Sequence, residues 1–393
     1  MDYKEIDIDE LLENADIVKI ISKDTELRPF ESHYIGKCPF EESDNESFIV
    51  DPEKNIYFCL NCGFGGNIID YIMKKDNIDF HNAIRILSAN TGTFIFKNKN
   101  GNLNSVKNRA LLHSIYVIAM NHYIELLNSD NNPGLEYIKN REITEKMQKD
   151  FKLGYSGNFG DDLYKKLVKK GFSNEDILKS GIIGEKKENG KSYYYDKFYN
   201  RLMFPIFNKN GYLIGFGGRT LTNNTAKYIN SQETVLFDKG SNLYGMQIAS
   251  RTKSKYFIVC EGNVDVIMLH QFGYNNAVAS LGTALTRDHV ELLLSYDKEI
   301  YLVYDSDDAG KKATNKAIKL FEEYGVYPRI IDLSPYKDPD EFLKNLGKEE
   351  FDNRIKNAST CDEFRINYIK ASFSEEDKDE YYNLIFNHIK TKI

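Results

Sequence analysis

The sequence predicts a multidomain protein of mixed α/β and α+β class, and three observations carry that expectation. The runs YFIVC (256–260), EIYLVY (299–304) and YPRIIDL (327–333) are apolar, of strand length and bounded by polar or turn residues. Amphipathic segments of helical length separate them, which is a β-α-β-α pattern with a parallel sheet. Near the N-terminus, Cys38, Cys59 and Cys62 bracket two short strand-like runs in the manner of a zinc ribbon. Between these parts, a helical stretch (107–180) gives way to strands and Asn-Gly or Gly-Gly turns over 200–250. The expected division is a zinc-ribbon-like domain (1–92), a linker (93–106), a mixed α+β subdomain (107–254), an α/β subdomain (255–345) and a short helical C-terminal segment (346–393).

Length and composition agree. A chain of 393 residues holds two or three domains at about 150 residues each. No apolar run approaches the ~20 residues that span a bilayer, and the acidic N-terminus has no signal-peptide pattern. Five cysteines, an odd number with three close together, suit a reducing cytoplasm better than a disulfide framework. The expected protein is cytoplasmic and makes no use of a membrane. Its net charge of −7 is unevenly spread: residues 1–100 carry 19 acids and 11 bases, whereas 201–255 carries eight bases against Glu233 and Asp238. Solvated surface explains such a run by itself; what gives it interest is its place directly before the acid-rich stretch.

Taken in order, DELLENADIVKIIS has apolar spacing near 3.6 and predicts one helix within 1–30. SFIV and NIYFC flank the turn DPEKN and predict a hairpin, followed by the knuckle CLNCG and a helix, IIDYIMKK. Thiolates hold Zn2+ tetrahedrally and clip a hairpin too small for its own core, so Cys38, Cys59 and Cys62 are read as zinc ligands. The fourth ligand is Glu41, with His33 or a water as alternatives, and the bland reading is a ribbon without metal. Residues 90–106, rich in Asn, Gly and Lys, read as a linker. KKENGKSYYYD reads as a hairpin; Gly184, Gly190, Lys191 and Ser192 approach a phosphate-binding loop, but the spacing is one residue too long and no strand leads in. Lys54 and Lys209 sit in turns and are expected to be solvated.

Each of the three apolar runs is followed by acids: Glu261 and Asp265, then Asp305, Asp307 and Asp308, then Asp338 and Asp340. Ligands of parallel sheets bind outside the carboxyl ends of the strands, where these acids fall. Carboxylates converging there repel one another unless cations neutralise them, and oxygen-only donors suit Mg2+ or Mn2+. The stretch therefore reads as a metal-dependent phosphate-transfer site. Gly262 permits a sharp turn after Glu261, Asp265 follows one helical turn later, and Asp305 and Asp307 share a side of an extended segment. Asp308 is expected either to face elsewhere or to cap the helix near Ala309, and one of Asp338 and Asp340 to cap the helix EFLKNL; for Asp308 and Asp340 capping and metal binding stand as equal alternatives. In the basic stretch, Arg219 follows two glycines whose backbone can approach a phosphate. Phe216, Tyr228 and Tyr244 are either core residues or base-stacking ones.

In this order, CPF…YFCLNCGFGGNIIDYIM, FKLGYS, YDKFYNRLMFPI, IGFGGR, KYINS, ETVLFDKG, LYG, EGNVDVI, LGTALT, YDSDDAG and KDPDEFL resemble the bacterial DnaG-type primases over residues 5–370. The resemblance implies a zinc-binding module, a polymerase core with a Toprim subdomain, and the synthesis of RNA primers from ribonucleoside triphosphates on single-stranded DNA. It implies catalytic Mg2+ or Mn2+ at Glu261, Asp305 and Asp307, with Asp265, Asp338 and Asp340 around them. It further implies catalytic roles for Arg219 and Lys227, and template or nucleotide contacts from Arg201, Arg219, Lys227, Tyr228, Asn230 and Lys239. The chain departs from the pattern where the zinc module has Glu41 in place of His. It also departs after the Toprim segment, where the family's helicase-binding domain does not follow. Recruitment by a replicative helicase is accordingly in doubt, and a primase of a phage or other mobile element, or a shortened chain, is the expectation. The acids Glu41, Glu42, Asp44 and Glu46 lead us to expect weak or altered start-site selection by the zinc module. The rivals are another Toprim enzyme and a non-catalytic homologue acting as a DNA-binding or interfering factor. A topoisomerase would need a tyrosine on a large further domain, and an ATPase-linked nuclease a phosphate-binding loop.

Overall fold

Five antiparallel strands make the N-terminal module: β1 (Leu27–Phe30), β2 (His33–Gly36), β3 (Phe48–Asp51), β4 (Ile56–Cys59) and β5 (Gly65–Asn67), in that spatial order. The structure, a computed structural model, describes residues 11–371 apart from 13–14, 42–44, 63, 79–82, 85, 88–102, 131 and 223–225. β3 and β4 form the expected hairpin, with Asn55 in its turn at φ 53°. The single helix expected before them is interrupted. Ala15 and Asp16 leave the helical conformation, and the Asp16 carboxylate accepts the Lys19 N–H (2.9 Å), capping α1 (Ile17–Ile21). A short acid that can bond the backbone starts a new helix there. Helix α2 (Ile68–Asp76) closes the module, packing Tyr71 against Phe48, Tyr57 and Phe40.

Most of the expected linker lies outside the described residues, but α3 (Leu103–Leu127) already begins inside it. After α3 come α4 to α7 (Pro133–Asn140, Glu145–Asp150, Asp162–Lys169 and Asn174–Lys179), as the helical pattern predicts. They surround an antiparallel sheet ordered β11-β10-β9-β6, formed by β6 (Gly154–Tyr155), β9 (Arg201–Phe207), β10 (Leu213–Thr220) and β11 (Tyr228–Asn230). β7 (Ile183–Glu188) and β8 (Lys191–Asp196) are a separate hairpin. Asn189 and Gly190 both have positive φ (50° and 75°), as a two-residue type I′ turn requires. The near-match to a phosphate-binding loop is thus only this turn.

After α8 (Met246–Ala249) the chain enters the parallel sheet β13-β12-β14-β15, from β12 (Tyr256–Cys260), β13 (Ala277–Ala279), β14 (Glu299–Leu302) and β15 (Arg329–Ile330). Helices α9 (Asn263–Gln271), α10 (Arg287–Leu294), α11 (Asp308–Glu322) and α12 (Pro339–Lys356) alternate with or follow the strands, and α13 (Cys361–Ala371) comes last; 372–393 lie outside the described residues. β13 is absent from the expectations above: three residues of small, apolar type give no periodic signal. Antiparallel pairing of Tyr244 with Ala279, through the Tyr244 N–H and Ala279 carbonyl (2.8 Å), joins the two subdomains at that strand. The zinc-ribbon-like module touches the mixed α+β part through Lys170, whose Nζ donates to the Cys62 carbonyl (2.9 Å) and lies 5.2 Å from the Phe64 ring centre. Among the described residues no helix is long and apolar enough to cross a membrane.

Candidate metal centres and phosphate-binding edge

In the N-terminal module, hairpin β3–β4 and the knuckle after it bring Cys59 and Cys62 to face Cys38. The ligand atoms of Cys38, Glu41, Cys59 and Cys62 all lie within 4.8 Å of one another. Cys38 Sγ and Cys62 Sγ are 3.6 Å apart, and Cys59 Sγ is 3.7 Å from Glu41 Oε1. With Zn–S bonds of about 2.3 Å, a tetrahedral site has S···S edges of about 3.8 Å. The donor set therefore fits Zn2+, with Glu41 in the fourth position. His33 is not part of it: its Nδ1 lies 2.7 Å from the Ser32 hydroxyl and its Nε2 3.8 Å from Asp51. Nor is the acidity of this module free to repel a template at every position. Glu41 belongs to the cluster and Glu46 is held by the Arg28 guanidinium (Nε–Oε1 2.9 Å), while Glu42 and Asp44 lie outside the described residues.

The second centre forms at the carboxyl ends of the parallel strands. Glu261 follows β12 directly, and its Oε1 accepts the Asp305 N–H (3.2 Å). The loop that carries Asp305 and Asp307 is tied to the loop before α12: Ser306 N–H donates to the Lys337 carbonyl (2.8 Å), and its hydroxyl to the Tyr336 carbonyl (2.5 Å). That tie draws Asp338 toward the same edge. Burial pushes the Asp305 carboxyl up and the charge of Asp338 adds to it; for Glu261 burial is again first and Asp305 second. Asp265, whose Oδ2 accepts the Gly262 N–H (3.0 Å), is held well above the ordinary carboxylate range by burial and then by Asp338 and Asp305. Asp307 is lowered instead, chiefly because its Oδ1 accepts the Gly310 N–H (2.9 Å) at the start of α11.

A cation already answers this repulsion. Lys337 Nζ lies 3.2 Å from Asp307 Oδ2 and 3.6 Å from Asp305 Oδ2. An ammonium bridging two of these carboxylates, in a set of oxygen donors alone, fits a place for hard divalent cations. Among the described residues the cysteine cluster is nevertheless the only group of three or more such ligands within 4.8 Å. The carboxylate edge is open, which leaves coordination positions to water and phosphate oxygens.

Several expectations need correction here. Asp340 is buried and its carboxylate is taken by Arg141 and by Lys344 Nζ (2.8 Å), so it is a counter-ion for those cations. Asp338, not Asp340, caps α12, accepting the Glu341 N–H (2.8 Å). Asp307, not Asp308, caps α11. Arg201 is buried, and its Nη1 donates to the Gly218 and Ala226 carbonyls (3.1 and 3.0 Å), turning it into a clamp between the strands. Phe216 and Tyr244 are core residues.

Arg219 sits between aromatic rings, with its guanidinium 4.8 Å from the Tyr137 ring centre and 5.4 Å from that of Tyr228, to whose hydroxyl Nη1 donates (2.8 Å). Lys227 is exposed just before β11. Asn230 donates from Nδ2 to the Leu281 carbonyl (2.7 Å), joining β11 to the LGT loop, and the Lys239 carbonyl lies 2.9 Å from His289 Nε2. Sequence reasoning missed Tyr137, Arg141 and Lys337. Only Lys337 left a signal, a base set into an acidic run.

Fold and site together define a zinc-ribbon protein with a Toprim core. The CHC2 zinc finger family matches residues 3–102, the N-terminal domain of the DNA primase catalytic core residues 122–250, and the Toprim-like family residues 258–343. A DNA primase of Clostridium acetobutylicum is 37% identical over 366 residues, covering 93% of this chain and 61% of its own, and one of Haemophilus influenzae is 33% identical, covering 95% and 64%. A crystal structure of the zinc-binding and RNA polymerase domains of the Aquifex aeolicus primase superposes with a TM-score of 0.72 at 33% identity, covering 98% of this chain and 93% of that one. A DnaG primase catalytic domain bound to single-stranded DNA gives 0.61 at 31% identity, covering 71% and 92%. The chain belongs to the bacterial DnaG primase family. It spans about three-fifths of the length of the curated relatives it matches.

Proposed function

We propose that this chain is a DNA primase, a DNA-directed RNA polymerase that joins ribonucleoside triphosphates into short primers on a single-stranded DNA template. The observation that carries the reading is the carboxylate edge, Glu261, Asp305 and Asp307 with Asp338 beside them, on the Toprim sheet of a DnaG family member. Glu261, Asp305 and Asp307 would hold Mg2+ or Mn2+, with Asp265 and Asp338 adding charge around them. Bound there, divalent metal lowers the pKa of an attacking 3′-hydroxyl and neutralises charge that develops on the α-phosphate.

The chain's own residues do the rest. The Glu261–Asp305 backbone contact and the Ser306 ties hold the three acid-bearing loops in register. Arg219, kept straight by Tyr137 and Tyr228, presents a planar fork to a phosphate. Lys227 adds an exposed cation beside the same strand pair, and Lys239 a half-buried one on the loop beside α10. Arg201 acts on this strand pair by positioning rather than by touching substrate. Asn230 keeps the LGT loop against β11, and Tyr228 offers a ring beside the phosphate fork. Cys38, Cys59, Cys62 and Glu41 would hold Zn2+ in the module that accompanies the polymerase part.

The test is synthesis by the purified protein with single-stranded DNA, ribonucleotides and Mg2+ or Mn2+. Short RNA is the expected product, and none with Asp305→Ala. A protein that binds the DNA and makes no RNA under any of these conditions would be a binding factor, not a polymerase.

A further inference from the structure

We propose that His289 is a positioning residue for the incoming nucleotide: from the Toprim part it holds the loop 237–243, and with it Lys239, at the carboxylate edge, where the Lys239 ammonium meets a phosphate of the ribonucleotide. The proposal rests on the polymerase reading above.

The loop needs such a hold. Phe237 and Leu243 are buried but belong to no helix or strand, and the five residues between them are polar or glycine. Carbonyls on a half-buried turn must find donors. Asn242 supplies one from within, its Nδ2 donating to the Asp238 carbonyl (2.9 Å). Others come from the Toprim part. His289 Nε2 donates to both the Lys239 and Asn242 carbonyls (2.9 and 3.0 Å), and the Thr286 hydroxyl donates to the Gly240 carbonyl. The Lys239 ammonium has no ion-pair partner among the described residues, which leaves it to an anion from outside.

A helix cap alone does not call for histidine. His289 is the third residue of α10, where its Nδ1 accepts the Thr286 N–H and the Thr286 hydroxyl oxygen accepts the His289 N–H (both 3.2 Å), closing a capping box. Glu or Gln ordinarily fills that position, because the box needs only an acceptor there. A glutamate would turn a carboxylate toward the loop carbonyls. Neutral imidazole carries one acceptor and one donor, so it closes the box and reaches the loop at once. The ring is fully buried, and burial lowers its pKa against the pull of the two carbonyls and of Asp288 and Asp238, which keeps it neutral.

The tie reaches the site. β13 runs parallel to β12 with Ala279 beside Cys260, so the segment 280–289 leaves the sheet at the edge where Glu261 stands. The same segment takes the Asn230 side chain at its Leu281 carbonyl (2.7 Å). Two stretches of the mixed subdomain, 227–230 and 237–243, are thus set against the acids by one Toprim segment.

The experiment compares primer synthesis by wild type, His289→Asn and His289→Gln with Mg2+ in excess. Glutamine brings its amide nitrogen to the place of Nε2 and can bond both loop carbonyls. Asparagine offers the acceptor that caps α10 but is too short to reach the loop. His289→Asn should raise KM for ribonucleotide about tenfold, as the loss of a hydrogen bond to a charged group does, with kcat within about twofold of wild type. His289→Gln should restore KM to within about twofold. Asparagine performing as well as glutamine, or better, would reduce His289 to a cap and overturn the proposal. In a second arm, Lys239→Ala raises KM by itself, and adding His289→Asn should raise it further by less than about twofold, because the two act through one contact. Fully multiplying effects would overturn the route through Lys239. A wild type that makes no RNA would instead overturn the polymerase reading, and the positioning role with it.

Discussion

Around Cys38, Glu41, Cys59 and Cys62, four ligand atoms lie within 4.8 Å of one another, inside a module knit by strands on both sides. At the Toprim edge the acids come from separate loops, hold no such compact set, and are bridged by the exposed ammonium of Lys337. The first arrangement suits an ion that stays and holds a small fold together; the second suits ions that arrive with a phosphate and leave with it. The difference follows from what each part must supply. The five-stranded meander packs a small core of its own around Phe48, Tyr57 and Tyr71, whereas the parallel sheet is buried between helices and can keep unpaired charge at one end.

The comparison can be broken or sharpened by substitution. The largest effect is expected from Cys59→Ser, which should abolish stoichiometric zinc and melt residues 11–76, because structural zinc contributes about 10–16 kcal/mol in small domains; metal analysis and circular dichroism of the variant check it. Full zinc retention would show that the cluster is not the holder. Next comes Asp340→Ala. If Asp340 is a counter-ion, its removal leaves the part-exposed Arg141 and the Lys344 ammonium without their partner and costs about 1–3 kcal/mol in urea unfolding; unchanged stability with weakened metal dependence would return it to the metal site.

A smaller effect concerns Asp70 in the zinc module, whose carboxyl burial pushes up to about 7 from 3.8. A raised acid binds its proton more tightly folded than unfolded, so its contribution is fully present below pH 4 and lost as pH rises through 7. Asp70→Asn should therefore flatten the fall in stability between these limits, by up to about 1.4 kcal/mol per pH unit. The readout is the difference in melting temperature between variant and wild type, both zinc-saturated, across that range. The smallest effect is expected of Lys337→Met, which removes the resident cation: half-maximal activity should move to a few-fold lower Mg2+ concentration, and a shift the other way would make Lys337 a substrate contact instead.

Much of this is legible from residues alone, because the signals are local. YFIVC is β12 without change, and Glu261, Asp305, Asp307 and Asp338 are found by their place after apolar runs. The Cys-x2-Cys knuckle likewise announces its module. What stays hidden depends on contacts between distant segments. Arg141 is 199 residues from the Asp340 it neutralises, and no spacing rule joins them. Arg201 opens a strand whose next five residues are buried, and a basic residue there looks the same in sequence whether it points to a phosphate or to two carbonyls. The N-terminal helix fails for a different reason: its periodicity is sound, but Asp16 bonds its own backbone more readily than it continues a helix.

The central claim, that nucleotidyl transfer takes place at the open carboxylate edge and not merely in its presence, is tested most directly by Asp305→Ala. Primer synthesis and oligonucleotide binding are measured on the same preparation, with Mg2+ and again with Mn2+. The account predicts RNA synthesis below detection with DNA binding within about twofold of wild type. Primers made at the wild-type rate by the variant would contradict it.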